Sequence, residues 1–495
     1  MEELKSSPVV DGVGLTLDRA RHLVASGHPV RWRALRLIAA ACEADGRKLE
    51  AAAYGLRAVS LAQKDPHADV DRVIRLLREI GREADARAAE LFFRARDQVE
   101  QVEEYYGQAA GRCALPKPDF EQIADVRTRS RYPVAIIVSL YKSAGRVKAF
   151  LSRVSKQTLF QAGDAEIIFI DSASPEDEFR ILKRFGETTA NVVVARTRKR
   201  ETIQMAWNRG LSLARSDYCC FLGADEGLVA NGLERLYGMA REYPDMDWVQ
   251  ARAVDLNLDE DENVLSKGEL YRKNYHPALM LIHSAYLSYV GALIKMTAFE
   301  KVGCFDPSFE VAGDTDFKFR MLRKCRSMVF EEILGLNFHD GSQRMSVHPR
   351  AEVEDYRAWF LRRGRQPILD ILGFDSEYTG LSEAERFFKL GRLAMAFRVN
   401  REPDPLRTDI RFAHQCFRAA ADCGLKDPEC AALLEITARW LALRAELALC
   451  EVDDIHRPET SIHGILKELK EIYEQHRIPV YGLDHLDYIW QVLWP

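Results

Sequence analysis

The sequence predicts a central α/β domain with a mostly parallel sheet, flanked by two all-helical regions. Between residues 132 and 242, apolar runs of strand length alternate four times with helix-length segments, which is typical of a doubly wound parallel sheet. The strand runs are continuously apolar, which indicates burial on both faces. The two flanking regions show helical spacing only. The predicted boundaries are 1–115 for a helical region, 116–131 for a linker, 132–370 for the α/β domain and 371–495 for a C-terminal helical domain.

The N-terminal region repeats a pattern of small residues. Gly46 and Ala51 recur as Gly81 and Ala86, which gives a 35-residue period. This period is close to that of tetratricopeptide repeats, in which small residues let paired helices pack closely. The region therefore resembles tetratricopeptide hairpins, and such arms would present an acceptor or mediate assembly as a homo-oligomer. Two prolines in "CALPKPDF" end the helical pattern and predict the linker.

Four strand–helix units make up the first half of the α/β domain. The strand runs are "PVAIIVSLY", "AEIIFID", "NVVVA" and "YCCFL", and each is followed by a segment of helical period. Three further strands are predicted in "DWVQARAVDL", "SYVGALIKM" and "SMVFEEILGLNF", with helices in "AGDTDFKFRMLRKC" and "PRAEVEDYRAWFLRRG". From about residue 381 the pattern is helical again, with breaks at Gly424 and Pro428.

Composition excludes several classes of protein. The chain has 495 residues, a net charge of -5, 47% hydrophobic and 29% charged residues, which is ordinary for a globular protein. This charge balance argues against a nucleic-acid partner. The polar N-terminal segment predicts no signal peptide, and the longest apolar stretch contains His283 and Lys295, so we expect no transmembrane segment. Ten cysteines without a C-x-x-C pair fit reduced thiols in a cytoplasmic protein, which could also be peripheral to a membrane.

The segment "YCCFLGADEGL" places two adjacent acids, Asp225 and Glu226, directly after an apolar strand. Ligands bind at the carboxyl ends of parallel strands, and a pair of carboxylates there suits a hard metal ion with a diphosphate. The alternative is the first turn of a helix, where acids are also favoured. The local sequence does not decide between the two.

Four ordered segments give residues 132 to about 365 a resemblance to the family 2 glycosyltransferases of the GT-A fold, which is Rossmann-like. Residues 139–142 stand at the family's P-x-Y-N turn, and "SKQTLFQAGDAEIIFID" matches its second segment. The third segment is "AWNRGLSLARSDYCCFLGADE", which matches a pattern ending in D-x-D-D, and the fourth is "VGCFDPSFEVAGDTDFKFRM". The resemblance implies an inverting glycosyltransferase that uses a nucleoside-diphosphate sugar, a UDP-sugar first, and Mn²⁺ or Mg²⁺.

The resemblance also implies roles for carboxylates and a histidine. It makes Asp225 the metal ligand, and His339, in "NFHDGSQRMS", a second metal ligand, with Ser342 or Ser346 as the serine that follows in the family. Gly223 departs from the family, which usually has Asp there, and Glu226 replaces the final Asp and is expected only to cap the turn. A lone histidine is more often structural, and that alternative stays open for His339.

Asp314 stands where the family places its general base, and a carboxylate beside the acceptor is what base-assisted inverting transfer needs. The alternative for Asp314 is a helix N-cap. Asp316, two residues on, is expected to be structural.

The remaining site residues are predicted to contact the nucleotide sugar. They are Ser139, Tyr141, Asp171, Arg200, Asn208 and Asp225. Asp171 could instead cap the helix that follows, although Ser174 can also do so. Asn208 could be a helix-surface amide, and Arg200 lies in a basic run that could be a solvated loop.

The predicted function is therefore sugar transfer to a hydroxyl or other nucleophile of a glycan, protein or peptide acceptor. The alternative is a catalytically weakened scaffold or binding protein that acts through its helical repeats. Gly223 favours that alternative, because fold alone does not establish activity.

Overall fold

The computed structural model describes residues 17–18, 20–21, 31–61, 67–94, 113–258, 264–267, 289–339, 348–361, 380–396, 410–449 and 461–476. Ser342, Ser346 and His283 lie outside these ranges. The chain divides into two compact units. The α/β unit comprises residues 99–280 and 284–359, and the helical unit comprises 1–98, 281–283 and 360–495.

Among the described residues of the α/β unit, ten strands form one sheet. Its spatial order is β1-β4-β3-β2-β5-β9-β7-β10-β6, with β8 paired to β7. The strands are β1 Gln122–Asp125, β2 Tyr132–Leu140, β3 Ala165–Asp171, β4 Val192–Arg196, β5 Ser216–Leu222, β6 Glu226–Leu228, β7 Trp248–Leu258, β8 Val264–Lys267, β9 Ala292–Lys295 and β10 Ser327–His339.

The four strands predicted first form the parallel core of this sheet. Strand β2 pairs in parallel with β3 and β5, and β3 pairs in parallel with β4. All seven residues of β3 are buried, as expected for a strand with helices on both faces. The predicted α/β class, with a mostly parallel central sheet and flanking helical regions, is confirmed. The sheet begins inside the predicted linker, because β1 pairs antiparallel with β4.

Helices cover this sheet and connect its strands. Helix α8 begins at a Thr202 N-cap, whose hydroxyl accepts a 3.2 Å hydrogen bond from the Met205 N–H. The helices of the α/β unit are α5 Ala144–Val154, α6 Thr158–Gln161, α7 Glu178–Thr188, α8 Ile203–Leu213, α9 Gly232–Glu242, α10 Met296–Val302, α11 Gly313–Lys324 and α12 Pro349–Leu361.

The second half of the sheet is mixed. Strand β9 pairs antiparallel with β5 and with β7, whereas the long strand β10 runs parallel to β7. Strand β6 follows the "GADE" segment directly and pairs antiparallel with β10. "GADE" is therefore a tight turn between two strands, closed by a 3.1 Å hydrogen bond from the Glu226 N–H to the Gly223 carbonyl. The alternative that this segment starts a helix is wrong.

The helical unit contains packed pairs of helices. Its described helices are α1 Arg31–Ala44, α2 Lys48–Leu61, α3 His67–Glu79, α4 Glu83–Arg94, α13 Glu383–Ala396, α14 Ile410–Asp422, α15 Pro428–Leu449 and α16 Ser461–His476. Gly424 follows α14 and Pro428 begins α15, so the predicted break lies between these two helices. Among the helices that the structure describes, none is both long and apolar enough to cross a membrane.

The two glycines of the 35-residue repeat do not have the role in close helix packing that the sequence predicts for them. Gly46 and Gly81 follow α1 and α3 with φ values of 77° and 74°, a left-handed conformation that glycine adopts readily. A Cβ at either position would meet no atom within 4 Å, so these glycines end helices and do not permit close packing. Ala51 and Ala86 are completely buried, which fits the predicted role in packing.

Candidate functional site

The predicted nucleotide-sugar residues converge on one edge of the sheet. Ser139 lies near the end of β2, Asp171 ends β3, and the turn that contains Asp225 follows β5. Arg200 lies in the loop after β4. Because β2, β3, β4 and β5 are parallel, their carboxyl ends share this edge, where ligands of open α/β sheets bind.

Tyr141 and Arg200 are in direct contact at this edge. The guanidinium carbon of Arg200 lies 4.4 Å from the centre of the Tyr141 ring, and the Lys142 ammonium lies 5.8 Å from the same centre. Arg200 is exposed, and the Tyr141 ring is half-buried. Cations over an aromatic face are attracted by its quadrupole. The contact therefore joins two predicted binding residues and places positive charge at the sheet edge.

Asp171 is completely buried and bonded within the protein. Its Oδ1 accepts a 2.8 Å hydrogen bond from the Ser174 N–H, and its Oδ2 is paired with Arg196. Burial raises the pKa of the Asp171 carboxyl, while the Ser174 N–H and the Arg196 charge act in the opposite direction. Helix α7 begins later, at Glu178, so Asp171 stabilises the turn after β3 and does not cap that helix. A nucleoside contact of Asp171 stays a prediction.

Asn208 is also engaged internally. Its Nδ2 donates to the Phe305 carbonyl at 2.8 Å, and its Oδ1 accepts from the Phe305 N–H at 2.9 Å. Only 1% of Asn208 is exposed, so the alternative of a helix-surface amide is wrong. The two hydrogen bonds join α8 to the loop that precedes α11. In the structure the Asn208 amide holds this loop through its main chain. A direct contact of Asn208 with the nucleotide stays a prediction.

Two carboxylates meet at the "GADE" turn. A Cβ built on Gly223 would lie 2.7 Å from Asp225 Oδ1 and 3.4 Å from Glu226 Oε2. The Glu226 Oε2 accepts a 2.6 Å hydrogen bond from the Gly223 N–H, so Glu226 does bond to the turn, as expected. The main chain of Asp225 is fixed by a 2.8 Å hydrogen bond from the Phe338 N–H in β10 to its carbonyl. Both carboxylates therefore lie beside Gly223, near the position that a side chain at this residue would occupy.

This donor set fits a divalent cation that binds together with phosphate. In the part of the chain that the structure describes, no three His, Cys, Asp or Glu side chains form a complete metal cage. Mg²⁺ commonly takes one or two carboxylates from the protein and completes its shell with water and substrate phosphate. The carboxylates of Asp225 and Glu226, which both lie close to the position of a Cβ on Gly223, match that pattern. Asp225 as a metal ligand remains a proposal.

His339 ends β10, next to the residue that bonds to Asp225. Its Nε2 lies 2.9 Å from Asp255 Oδ1 on the neighbouring strand β7, and the two atoms are at ion-pair distance without the alignment of a hydrogen bond. Metal-bound histidines commonly turn one ring nitrogen to a carboxylate and bind through the other. The contact with Asp255 fits that arrangement and also fits a structural histidine, so a metal-ligating role for His339 stays a prediction.

Asp314 is the second residue of α11, and its Oδ2 accepts a 2.7 Å hydrogen bond from Lys318 Nζ. The N-cap of α11 is Ala312, so Asp314 is not the N-cap, and that alternative is wrong. A Cβ at Gly313 would lie 2.3 Å from Gln204 Cγ, so a larger residue at this position would require the Gln204 side chain to move. Asp316 is buried and paired with Arg320 at 2.9 Å, as expected for a structural residue.

Helix α12 contributes two acids that the sequence did not single out. Glu354 is completely buried and accepts hydrogen bonds of 2.7 to 3.1 Å from three consecutive N–H groups, at residues 310–312, directly before Asp314. Asp355 accepts a 3.3 Å hydrogen bond from the Thr315 hydroxyl. Burial, with the charge of Asp314 next in size, raises the pKa of the Asp355 carboxyl to about 7. In the sequence both residues are ordinary acids of an amphipathic helix, so no signal marked them.

The sequence comparison agrees with this geometry. Residues 135–303 match the model of glycosyl transferase family 2. The match runs from β2 to the end of α10, so it includes Asp225 and stops before Asp314 and His339. Apart from residues 281–283, the matched segment lies within the α/β unit.

Individual proteins match shorter parts of the chain. The PGL/p-HBAD biosynthesis glycosyltransferase of Mycobacterium bovis is 26% identical over 121 residues, which is 24% of this chain and 46% of that protein. The cholesterol galactosyltransferase of Borreliella burgdorferi is 26% identical over 111 residues, 22% of this chain and 30% of that protein. The chain thus spans less than half the length of these relatives. A crystal structure of S. aureus TarS in complex with UDP-GlcNAc is 13% identical, with a TM-score of 0.40, and the similarity covers 70% of this chain and 91% of that one.

Proposed function

We propose that this protein is an inverting, metal-dependent glycosyltransferase. It moves a sugar from a nucleoside-diphosphate sugar, a UDP-sugar first, to a hydroxyl of a glycan or of a protein or peptide. The observation that carries the proposal is the pair of carboxylates at the Gly223 turn, inside the segment that matches the family 2 model and at the ligand-binding edge of the sheet. Carboxylates at that edge suit a divalent cation that bridges diphosphate oxygens.

On the donor side, this chain supplies charge and orientation. Mn²⁺ or Mg²⁺, when bound, would offset the negative charge that develops on the departing diphosphate. Asp225 would hold the cation, with His339 as the second ligand and Asp255 fixing the imidazole ring. Arg200 contacts the Tyr141 ring at the same edge. Its guanidinium would bind phosphate oxygens of the donor there.

On the acceptor side, Asp314 acts as the general base. It accepts the proton of the acceptor hydroxyl while that oxygen forms a bond to the anomeric carbon of the sugar. The bond between the anomeric carbon and the diphosphate breaks, and its electron pair leaves with the diphosphate. Attack from the opposite side inverts the configuration. Lys318 holds one oxygen of the Asp314 carboxylate at 2.7 Å, which orients the base.

The helical unit has the second role in this proposal, which is to recognise the acceptor or to assemble copies of the chain. Its acceptor would be a protein, a peptide or a glycan. The cytoplasmic location expected from the cysteines belongs to the same proposal, and eight of the nine cysteines that the structure describes are buried thiols.

A panel of UDP- and GDP-sugars tests the proposed function on the full chain. We expect one donor to raise the melting temperature in the presence of Mn²⁺ and to be hydrolysed slowly without acceptor, since a ligand of the native state stabilises it by mass action. NMR of the transferred sugar would then show the inverted configuration. If no donor stabilises the protein with Mn²⁺ and none is hydrolysed, the proposal is wrong and the scaffold alternative is favoured.

A further inference from the structure

The loop that leads into the proposed general base is held by buried polar side chains at both of its ends. This loop spans residues 305–312, and Asp314 follows it as the second residue of α11. At the start of the loop, the Asn208 amide on α8 bonds to the N–H and the carbonyl of Phe305. At its end, the Glu354 carboxylate on α12 accepts hydrogen bonds from the N–H groups of the last three residues. The main chain before Asp314 is therefore fixed from two neighbouring helices.

One oxygen of Glu354 makes most of these contacts. Its Oε2 lies 3.1, 2.7 and 2.9 Å from the nitrogens of Glu310, Val311 and Ala312, and its Oε1 lies 3.0 Å from the nitrogen of Glu310. Glu354 is completely buried, and a buried N–H group that loses its acceptor is strongly unfavourable. The carboxylate therefore determines the path of the main chain up to Ala312, which is the N-cap of α11.

Arg357, one turn further along α12, holds the middle of the same loop. Its Nη2 donates to the Ser308 hydroxyl at 3.3 Å, and its guanidinium carbon lies 3.4 Å from the centre of the Phe309 ring. Only 2% of Arg357 is exposed. Helix α12 thus holds the loop at two places, and the hydrogen bonds of Glu354 fix the place that is nearer to Asp314.

We propose that Glu354 is a positioning residue for Asp314. By holding the main chain directly before α11, it sets where the Asp314 carboxylate stands relative to the attacking oxygen. This inference rests on the proposed function, because it takes Asp314 as the general base. A general base acts only within hydrogen-bond reach of the proton that it accepts, and a misplacement of about 1 Å can lower the rate about 10²-fold.

The test measures hydrolysis by the full chain of the UDP- or GDP-sugar that the donor panel identifies, with Mn²⁺ and with water as the acceptor. Glu354→Asp keeps the charge but withdraws the carboxylate by one methylene group. We expect kcat to fall about 10- to 100-fold, while KM for the donor and Kd for UDP with Mn²⁺ stay unchanged, because only the base is displaced. Glu354→Gln keeps the reach and one accepting oxygen, so it should lose less activity than Glu354→Asp.

The matched control is Glu166→Asp. Glu166 on β3 is also completely buried, and its Oε1 accepts the Arg215 N–H and the Ser216 hydroxyl, each at 2.6 Å. These contacts lie where β5 begins, at the edge of the sheet opposite the proposed site. The control should lower the melting temperature, as Glu354→Asp does, and leave kcat within a few-fold of the wild type.

A double-variant cycle separates positioning from a general loss of stability. Residues that act as a unit are not additive, so Glu354→Asp should lower kcat no further once Asp314→Asn has removed the base. Equal fold losses in both backgrounds would overturn the inference. So would a kcat of Glu354→Asp that matches Glu166→Asp, or a greater loss in Glu354→Gln than in Glu354→Asp, since charge and not reach would then be what matters.

These outcomes leave the proposed function standing, because the wild type still hydrolyses its donor in each of them. If Asp314→Asn hydrolyses the donor as fast as the wild type, Asp314 is not the base, and the inference fails together with that assignment. If the wild type hydrolyses no donor with Mn²⁺, the proposed function fails and the inference fails with it.

Discussion

Lys318 Nζ lies 2.7 Å from Asp314 Oδ2, one turn further along the same helix, and the two side chains are 12% and 32% exposed. The lysine is therefore nearly covered, whereas the carboxylate reaches the surface, where an acceptor can approach it. The Lys318 ammonium also lies 4.9 Å from the centre of the Tyr289 ring, and the Tyr289 hydroxyl donates to the Asp314 carbonyl at 3.3 Å. These contacts hold the proposed base in one orientation.

Asp314→Asn should abolish transfer and leave donor binding unchanged. The proposed base acts on the acceptor proton, so its loss removes an interaction made mainly in the transition state. Positioned general-base catalysis contributes about 10²- to 10⁴-fold, so kcat should fall by at least the lower figure. Steady-state kinetics with the acceptor and calorimetry with the donor measure the two effects separately.

The control for this experiment is Asp177→Asn, an exposed acid before α7 whose partner is Arg180. It should change neither kcat nor donor affinity. Turnover of Asp314→Asn within a few-fold of the wild type would show that Asp314 is not the base. Asp316 would be a poor substitute, because it is buried and paired with Arg320.

Asp225→Asn should remove metal-dependent binding of nucleoside diphosphates while the fold persists. The substitution keeps the shape of the side chain and removes the charge that a hard cation requires. The turn should stay closed, because its hydrogen bonds to β10 use the Asp225 carbonyl and not the side chain. Calorimetry with UDP and Mn²⁺, together with an unchanged melting temperature without ligand, checks both parts. An unaltered Kd would exclude Asp225 from the site.

Arg200→Gln should weaken donor binding by about 10- to 100-fold, because a hydrogen bond to a charged group contributes about 1.5–3 kcal/mol. The matched control is Arg198→Gln in the same loop, because Arg198 is exposed and paired with Asp119 at 2.9 Å. Competition binding with UDP measures both variants. Equal losses for the two variants would mean that the loop acts only through its net charge, and no loss at Arg200 would mean that it does not touch the diphosphate.

The sequence predicted the part of the site that depends on local pattern. Alternating strands and helices place β2, β3, β4 and β5 in parallel, so Ser139, Asp171 and Asp225 had to meet at one edge. The contact of Tyr141 with Arg200 follows from the same topology, since both residues come after parallel strands. The turn at Gly223 was ambiguous in the sequence, because it depends on pairing with β10, more than a hundred residues away.

The acids on α12 could not be predicted for a related reason. Glu354 bonds to backbone N–H groups that lie 42 to 44 residues earlier, and only the packing of α12 brings it to them. In the sequence it is one more acid of a helix. The repeat glycines were misinterpreted because helix ends and close helix packing both favour glycine, and only the φ angles separate the two causes.

Asp355 should make the stability of the protein depend on pH near neutrality. Its carboxyl has a pKa of about 7 in the folded protein, raised from 3.8 chiefly by burial. Between these two values the folded protein holds a proton that the unfolded chain has released. The free energy of unfolding should therefore fall as the pH rises from about 4 to about 7, and it should stay at the lower level above that.

Asp355→Asn carries no proton to lose, and its amide can still accept the Thr315 hydroxyl. Relative to the wild type, the variant should gain stability as the pH rises through this window, by up to about 4 kcal/mol over the whole window and by about 3 kcal/mol between pH 5 and pH 8, at 1.36 kcal/mol per pKa unit. Urea unfolding of both proteins at pH 5 and pH 8 measures the difference, with Asp177→Asn as the exposed control. If the difference in unfolding free energy between variant and wild type is the same at both pH values, Asp355 is already ionised in the folded protein at pH 5. The predicted pH dependence is then wrong.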